Sequence, residues 1–213
     1  CQDCFHEEQK EGKNRRQIIR PVFGERLLVH FYQKERQTSI IIVMESIEVI
    51  VLLYNGKKHI PEIEKEFHNQ KTDLKKSLHY IVTATGDGTE EELTKLKANF
   101  SVVKKEDFSH SLTREKAILE SKADAVVLLT QDCRLVCDDA LDKLAHCLNE
   151  DVKYAYLRQV NSNKTLERYS RMINYPKTSL IKDQTMIPTL GLNTFFASDA
   201  CAIVDVAYFK SVN

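Results

Sequence analysis

The chain has 213 residues, enough for one good core and too few for two full domains. Its 31 basic residues balance its 31 acidic ones, which excludes a global field steering it toward nucleic acid or an anionic membrane. There is no apolar run of about 18 residues, and no charged start followed by an apolar core, so neither a spanning helix nor a signal peptide is expected and the cytoplasm is the default compartment.

Residues 1–37 are polar and poorly periodic, and HEEQKEGKNRRQ reads as solvated coil or frayed helix. Cys1 and Cys4 offer half of a zinc site without a second Cys/His pair, and six unevenly spaced cysteines are expected to be free thiols. The apolar, β-branched stretch around Met44 marks the expected start of a compact domain over 44–213, with 1–43 as an extension, a remnant of a neighbouring domain or mistranslated upstream sequence. A start at Cys1 and an end at AYFKSVN suggest a fragment of a longer protein.

Within that domain, IEVIVLL reads as a buried strand, and IPEIEKEFHNQ places Ile60, Ile63 and Phe67 on one helical face. LHYIVTA is a second strand, and TEEELTKLKA a helix with Thr89 and Glu92 at capping-box spacing. FSVVKK is a third strand, LTREKAILESKA a helix, AVVLLT a fourth strand, and DDALDKLAHCLNE a helix with acids in its first turn. KYAYLRQV reads as a fifth strand, KTLERYSRMINYP as a helix stopped at Pro176, and TFFASDACAIV as one bent strand or two short ones.

Strands alternating with helices imply a parallel sheet covered on both faces, with ligands outside the carboxyl ends of the strands. YNG, TATGDGT and TQD follow the first, second and fourth strands, so all three should converge on one edge. Asp132 follows its strand directly, where a hard divalent cation on a diphosphate needs an oxygen ligand. Asp138 and Asp139 read as helix caps, and Cys133 and Cys137 as small unreactive thiols. GDGTEEEL lacks the spacing of a phosphate loop and reads as a tight turn before a helix. Arg114 is able to clamp a phosphate or base edge, while a surface arginine and a loop histidine at His110 is the plainer reading. Arg158 and Gln159 close the fifth strand, where an arginine needs an anionic partner.

In their order and spacing, IEVIVLLYNGKKHIPEIEKEF, YIVTATGDGTEEEL, the long EDFSHSLTREKAILESKADAVVLLTQDCRLVCDDALDKL stretch and RQVNSNKTLERYSRMINYPKTSLIKDQTMIPTLGLNTFFASDACA resemble a bacterial family-2 glycosyltransferase, nearest its rhamnosyltransferase branch. The resemblance implies an α/β fold of GT-A type, with a mostly parallel central sheet flanked by helices. It sets Leu53, Tyr54 and Asn55 against the nucleotide base, with Thr83, Arg114 and Gln131 also on the donor nucleotide. TQD takes the place of the family's Asp-x-Asp motif, so Asp132 inherits the metal, Mg2+ or Mn2+, and Thr130 stands where the first aspartate often is. Arg158, Gln159, Ser198 and Asp199 fall on the donor-sugar and acceptor side. Val82 and Thr83 occupy positions where the family often has aspartate, Glu115 replaces an asparagine, and Asp87 shapes its turn. The family's catalytic base, after a GGF-like turn, is expected beyond Asn213.

The implied activity is inverting, metal-assisted transfer of a sugar from a nucleoside-diphosphate sugar to a hydroxyl of a bacterial surface polysaccharide or lipid-linked glycan. The implied setting is the cytoplasm and the inner face of the plasma membrane, with peripheral membrane association and no nucleic acid partner. The alternative is a non-catalytic nucleotide-sugar binding module. A receiver-like signalling domain fits LLYNG and VVKKEDF poorly.

Overall fold

The apolar runs pair as strands because their alternate side chains have a packed layer to enter on either face. The structure, a computed structural model, describes residues 17–20, 44–160, 166–175 and 178–213. Strands β2 (Ser46–Leu53), β3 (Lys75–Thr83), β4 (Asn99–Val103), β5 (Ala125–Thr130), β7 (Tyr154–Tyr156) and β9 (Cys201–Asp205) form the central sheet. Their order is β4-β3-β2-β5-β9-β7. β4, β3, β2 and β5 run parallel, while β9 is antiparallel to both of its neighbours. The mostly parallel, helix-flanked α/β fold expected from the sequence is therefore the one observed.

In β2, Ile47, Val49, Val51 and Leu53 enter one core layer and Ile50 the other; in β5, Ala125, Val127 and Leu129 alternate in the same way with Val126 and Leu128. The first layer is closed by α1 (Ile60–Asn69), α2 (Thr89–Leu96) and α4 (Ala140–Ala145), through residues such as Ile63, Leu93 and Leu141. The second is closed by α3 (His110–Glu120) and α7 (Val206–Val212), through Ala117, Ile118 and Val206. Ile60, Ile63 and Phe67 are the buried face of α1, as their spacing predicts.

Several local expectations are corrected. KYAYLRQV is two strands: β7 belongs to the central sheet, whereas β8 (Arg158–Val160) belongs to a small second sheet. The break is at Leu157, whose N–H donates to Cys201 O at 2.9 Å. The second sheet also contains β6 (Cys133–Leu135), in order β6-β1-β8, where β1 is Gln17–Arg20. TFFASDACAIV is a 3-10 turn ending at Phe195 followed by β9, and a short helix α6 (Ile187–Leu190) precedes it; α5 spans Leu166–Asn174.

The helix caps also differ from expectation. Asp139 stands at the N-cap of α4 without a side-chain cap, and pairs with Lys143 at 2.5 Å, while Asp138 pairs with Lys71 at 2.6 Å. The N–H of Leu141 is met instead by Gln70 Oε1 at 3.1 Å, from a buried glutamine just past α1 whose Nε2 donates to Cys137 O at 2.7 Å. At α2 the N-cap is Gly88, at a φ of 84°, and the Thr89 N–H is met by Asp87, not by a capping box. The Cys1–Cys4 pair and Pro176 lie outside the described residues. Cys133, Cys137, Cys147 and Cys201 are free thiols, and burial pushes those of Cys133, Cys147 and Cys201 up, away from reactivity.

Candidate functional site

The parallel registers bring β2, β3 and β5 to an end together, with Leu53 opposite Val82 and Leu52 opposite Thr130. The connections that follow share one edge, as the alternation of strands and helices predicts. After β2 the chain turns through Tyr54, Asn55 at a φ of 48°, and Gly56. Any side chain at Gly56 would set a Cβ 2.9 Å from Leu53 Cβ and 3.1 Å from Gln131 Oε1, so only glycine admits this turn.

Gln131 holds the turn from the neighbouring strand. Its Oε1 accepts from Tyr54 N–H at 2.9 Å, and its Nε2 donates to Tyr54 O at 3.1 Å. A side-chain amide thus supplies a further rung between β2 and β5 after the backbone ladder has stopped. The β3 connection is tied in by Asp87, which accepts from the Thr85 hydroxyl at 3.0 Å and the Thr89 hydroxyl at 2.8 Å. Thr89 Oγ1 accepts in turn from Gly56 N–H at 3.2 Å. Partial burial pushes the Asp87 carboxyl up, but these hydrogen bonds outweigh it and hold the group below its usual range.

Above this edge lies a cavity of about 450 Å³, into which Leu53, Tyr54, Thr83, Arg114 and Gln131 all face. Asn55 is exposed on the turn and does not line it. Leu52, Lys105, Phe108, His110 and Thr130 complete the wall. Sequence reasoning alone does not single out Lys105 and Phe108, although the strand-end rule that selects YNG and TQD applies equally to the segment after β4. The Phe108 and His110 rings meet edge to face at 4.9 Å, and Lys105 Nζ lies 6.0 Å from the centroid of the Tyr54 ring. An apolar slot with aromatic walls and two cations, Lys105 and Arg114, suits a flat ring joined to an anion.

Arg114 is held rather than free. Its Nη1 donates to His110 O at 2.7 Å and its Nη2 pairs with Asp199 at 3.1 Å, which ties α3 to the segment before β9. Ser198 next to it is a hub: its hydroxyl accepts from Tyr175 at 2.7 Å and from Gln159 Nε2 at 3.2 Å, and its carbonyl from Tyr154 at 2.8 Å. Arg158, adjacent to Gln159, faces a second cavity of about 240 Å³, lined also by Tyr156, Tyr175, Lys182 and Phe196. The two residues point apart because successive side chains of a strand alternate.

Asp132 lies in the half-exposed turn between β5 and β6. The turn is pinned by Thr130, whose N–H donates to Ala200 O at 3.0 Å and whose hydroxyl meets Cys133 Sγ at 2.7 Å. Burial pushes the Cys133 thiol up to about 12, and the charges of Asp132 and Asp199 add to this while the Thr130 hydroxyl and Arg171 oppose it. Among the described residues no group of three or more His, Cys, Asp or Glu side chains could by itself hold a metal. A single strand-end carboxylate fits a hard cation that takes most of its oxygens from a substrate's phosphates and from water.

The sequence model of "Glycosyl transferase family 2" matches residues 48–212. The chain is 31% identical over 174 residues, 79% of its own length, to an O-antigen chain rhamnosyltransferase of Salmonella anatum, of which it covers 54%. It is 29% identical over 172 residues to another from Salmonella typhimurium, covering 78% of this chain and 53% of that protein. The chain thus spans about half the length of the curated relatives it matches. Among solved structures, a mannosyltransferase from Pyrobaculum calidifontis in complex with GDP-Man and Mn2+ shares the fold, with a TM-score of 0.55 at 14% identity. That likeness covers 84% of this chain and 50% of the other.

Proposed function

The chain belongs to glycosyltransferase family 2, and on that premise we propose that it binds a nucleoside-diphosphate sugar in the strand-end cavity and transfers the sugar, with inversion, to a hydroxyl of an O-antigen-type bacterial polysaccharide or its lipid-linked precursor. The observation that carries this reading is the convergence of Leu53, Tyr54, Thr83, Arg114 and Gln131, from four separate segments, on one cavity. The rhamnosyltransferase relatives support rhamnose as the sugar and a surface glycan as the acceptor.

Each residue has a task that follows from its chemistry. Leu53, Tyr54 and Phe108 offer apolar surface to the base, while Gln131 fixes the Tyr54 backbone so that this wall is in place before the ligand arrives. Arg114 offers a planar cationic fork to the diphosphate, oriented by His110 O and Asp199. Asp132 would hold a divalent cation, which when bound offsets the charge building on the leaving diphosphate. Gln159, Ser198 and Asp199 shape the sugar and acceptor side. No residue of this chain is assigned as the base that takes the acceptor's proton.

Among the described residues no helix is long and apolar enough to cross a membrane. We place the reaction at the inner face of the plasma membrane, with the protein associated peripherally. Calorimetry with a panel of nucleoside diphosphates, with and without Mn2+ or Mg2+, tests the reading. Metal-dependent binding that Asp132→Ala weakens at least about tenfold is expected. A folded protein that binds no nucleoside diphosphate, or binds one equally well after Asp132→Ala, would overturn it.

A further inference from the structure

The second cavity shares no lining residue with the strand-end cavity. Two cations face it. Arg158 makes no ion pair or side-chain hydrogen bond among the described residues, and its Nε is buried without a partner. A buried donor left unmet is costly, and more so when it carries charge. Lys182, only 9% exposed, donates to Asn193 O at 2.7 Å and Phe196 O at 3.3 Å, and pairs with no carboxylate among the described residues. An ammonium has three donors, so one remains. Burial draws the Lys182 pKa below its usual value, a cost that a bound anion would reverse.

An aromatic cluster forms part of the remaining wall, beside Ile173, Asn174, Thr178, Leu180, Leu190 and Asn193. Tyr156, Tyr175 and Phe196 meet edge to face in all three pairings, with centroids 6.0, 6.2 and 5.8 Å apart. Lys182 Nζ also stands 5.5 Å from the centroid of the Phe196 ring. Such a platform takes the apolar face of a sugar ring, while two cations that pair with no carboxylate among the described residues call for a doubly charged group and not a single carboxylate.

We propose that this cavity binds a sugar phosphate, with Arg158 and Lys182 on the phosphate and the Tyr156–Tyr175–Phe196 cluster against the sugar. It deepens the acceptor side described above, and rests on that reading only in assigning the phosphate to the acceptor and not to the donor.

The probe is glucose 1-phosphate, titrated calorimetrically into the whole chain. Saturable binding is expected, weakened at least about tenfold by Arg158→Gln and by Lys182→Gln, unchanged by Arg114→Gln, and not displaced by a saturating nucleoside diphosphate. Glucose and glucuronate should each bind at least about tenfold more weakly than the phosphate ester. If Arg158→Gln fails to melt cooperatively, Lys182→Gln and Arg158→Lys decide the matter. Absence of binding, equal binding of glucuronate, or wild-type affinity in both folded variants overturns the site. Displacement by the nucleoside diphosphate assigns the anion to the donor and overturns the proposal, even though the transferase reading survives. Glucose 1-phosphate binding without any nucleotide binding leaves this site standing and removes that reading.

Discussion

Gln131 shows how much a single side chain can fix at a strand end. Both halves of its amide are used on the Tyr54 backbone, so the residue that sequence reasoning placed on the nucleotide is occupied with the loop. Gln131→Ala should cost about 1 kcal/mol, because two hydrogen bonds to exposed backbone groups are lost to water. If the turn must be ordered before a ligand enters, nucleoside-diphosphate affinity falls roughly fivefold, which titration of the variant measures. Arg114 divides its fork between His110 O and Asp199. Arg114→Lys keeps the charge and loses the fork, so affinity for the nucleoside diphosphate should drop several-fold with little change in melting temperature. A drop in stability of the same size as the drop in binding would mark Arg114 as structural.

Between elements, the sheet is locked by polar contacts at strand flanks as well as by its core. Glu48 on β2 lies 3.6 Å from His79 on β3 and accepts from Ser121, just beyond α3. The neighbouring His79 ring, helped by the Ser121 hydrogen bond and opposed by burial, holds the Glu48 carboxyl below its usual 4.5. A carboxylate whose folded pKa is depressed adds stability above its unfolded pKa and loses it as pH falls through the folded value. Wild type should therefore melt above Glu48→Gln at neutral pH, with the gap closing below about pH 4.5; a gap that persists unchanged at low pH would refute the linkage. α4 makes a second case. With six residues it cannot persist alone, and Leu141, fully buried, and Leu144 anchor it against the sheet. Leu141→Ala should cost about 2–5 kcal/mol, readable by urea unfolding.

For the molecule as a whole, we propose residues 44–213 as the folding unit, since the central sheet and every described helix on its two faces lie within them. A chain beginning at Met44 should unfold in one cooperative transition, although β6 and β8 lose their pairing with Gln17–Arg20. Non-coincident transitions by fluorescence and circular dichroism would instead make the first 43 residues integral. By itself the sequence determined the layered α/β plan, because apolar runs of period two and helices with one greasy stripe are local patterns that admit few packings. It also determined which edge gathers the candidate site residues, since parallel strands joined by helices must end together. It did not determine that KYAYLRQV breaks at Leu157, for its alternation is unbroken, nor that α4 is capped by Gln70 and not by Asp138 or Asp139. Those outcomes depend on groups about 40 to 70 residues away, Cys201 and Gln70, which only the tertiary structure brings within hydrogen-bonding distance. The same holds for Arg114 with Asp199, and for Arg158 facing away from Gln159 into a cavity of its own. A carboxylate and a guanidinium far apart in sequence carry no local mark of their pairing, because the attraction that joins them acts over a few ångströms in space.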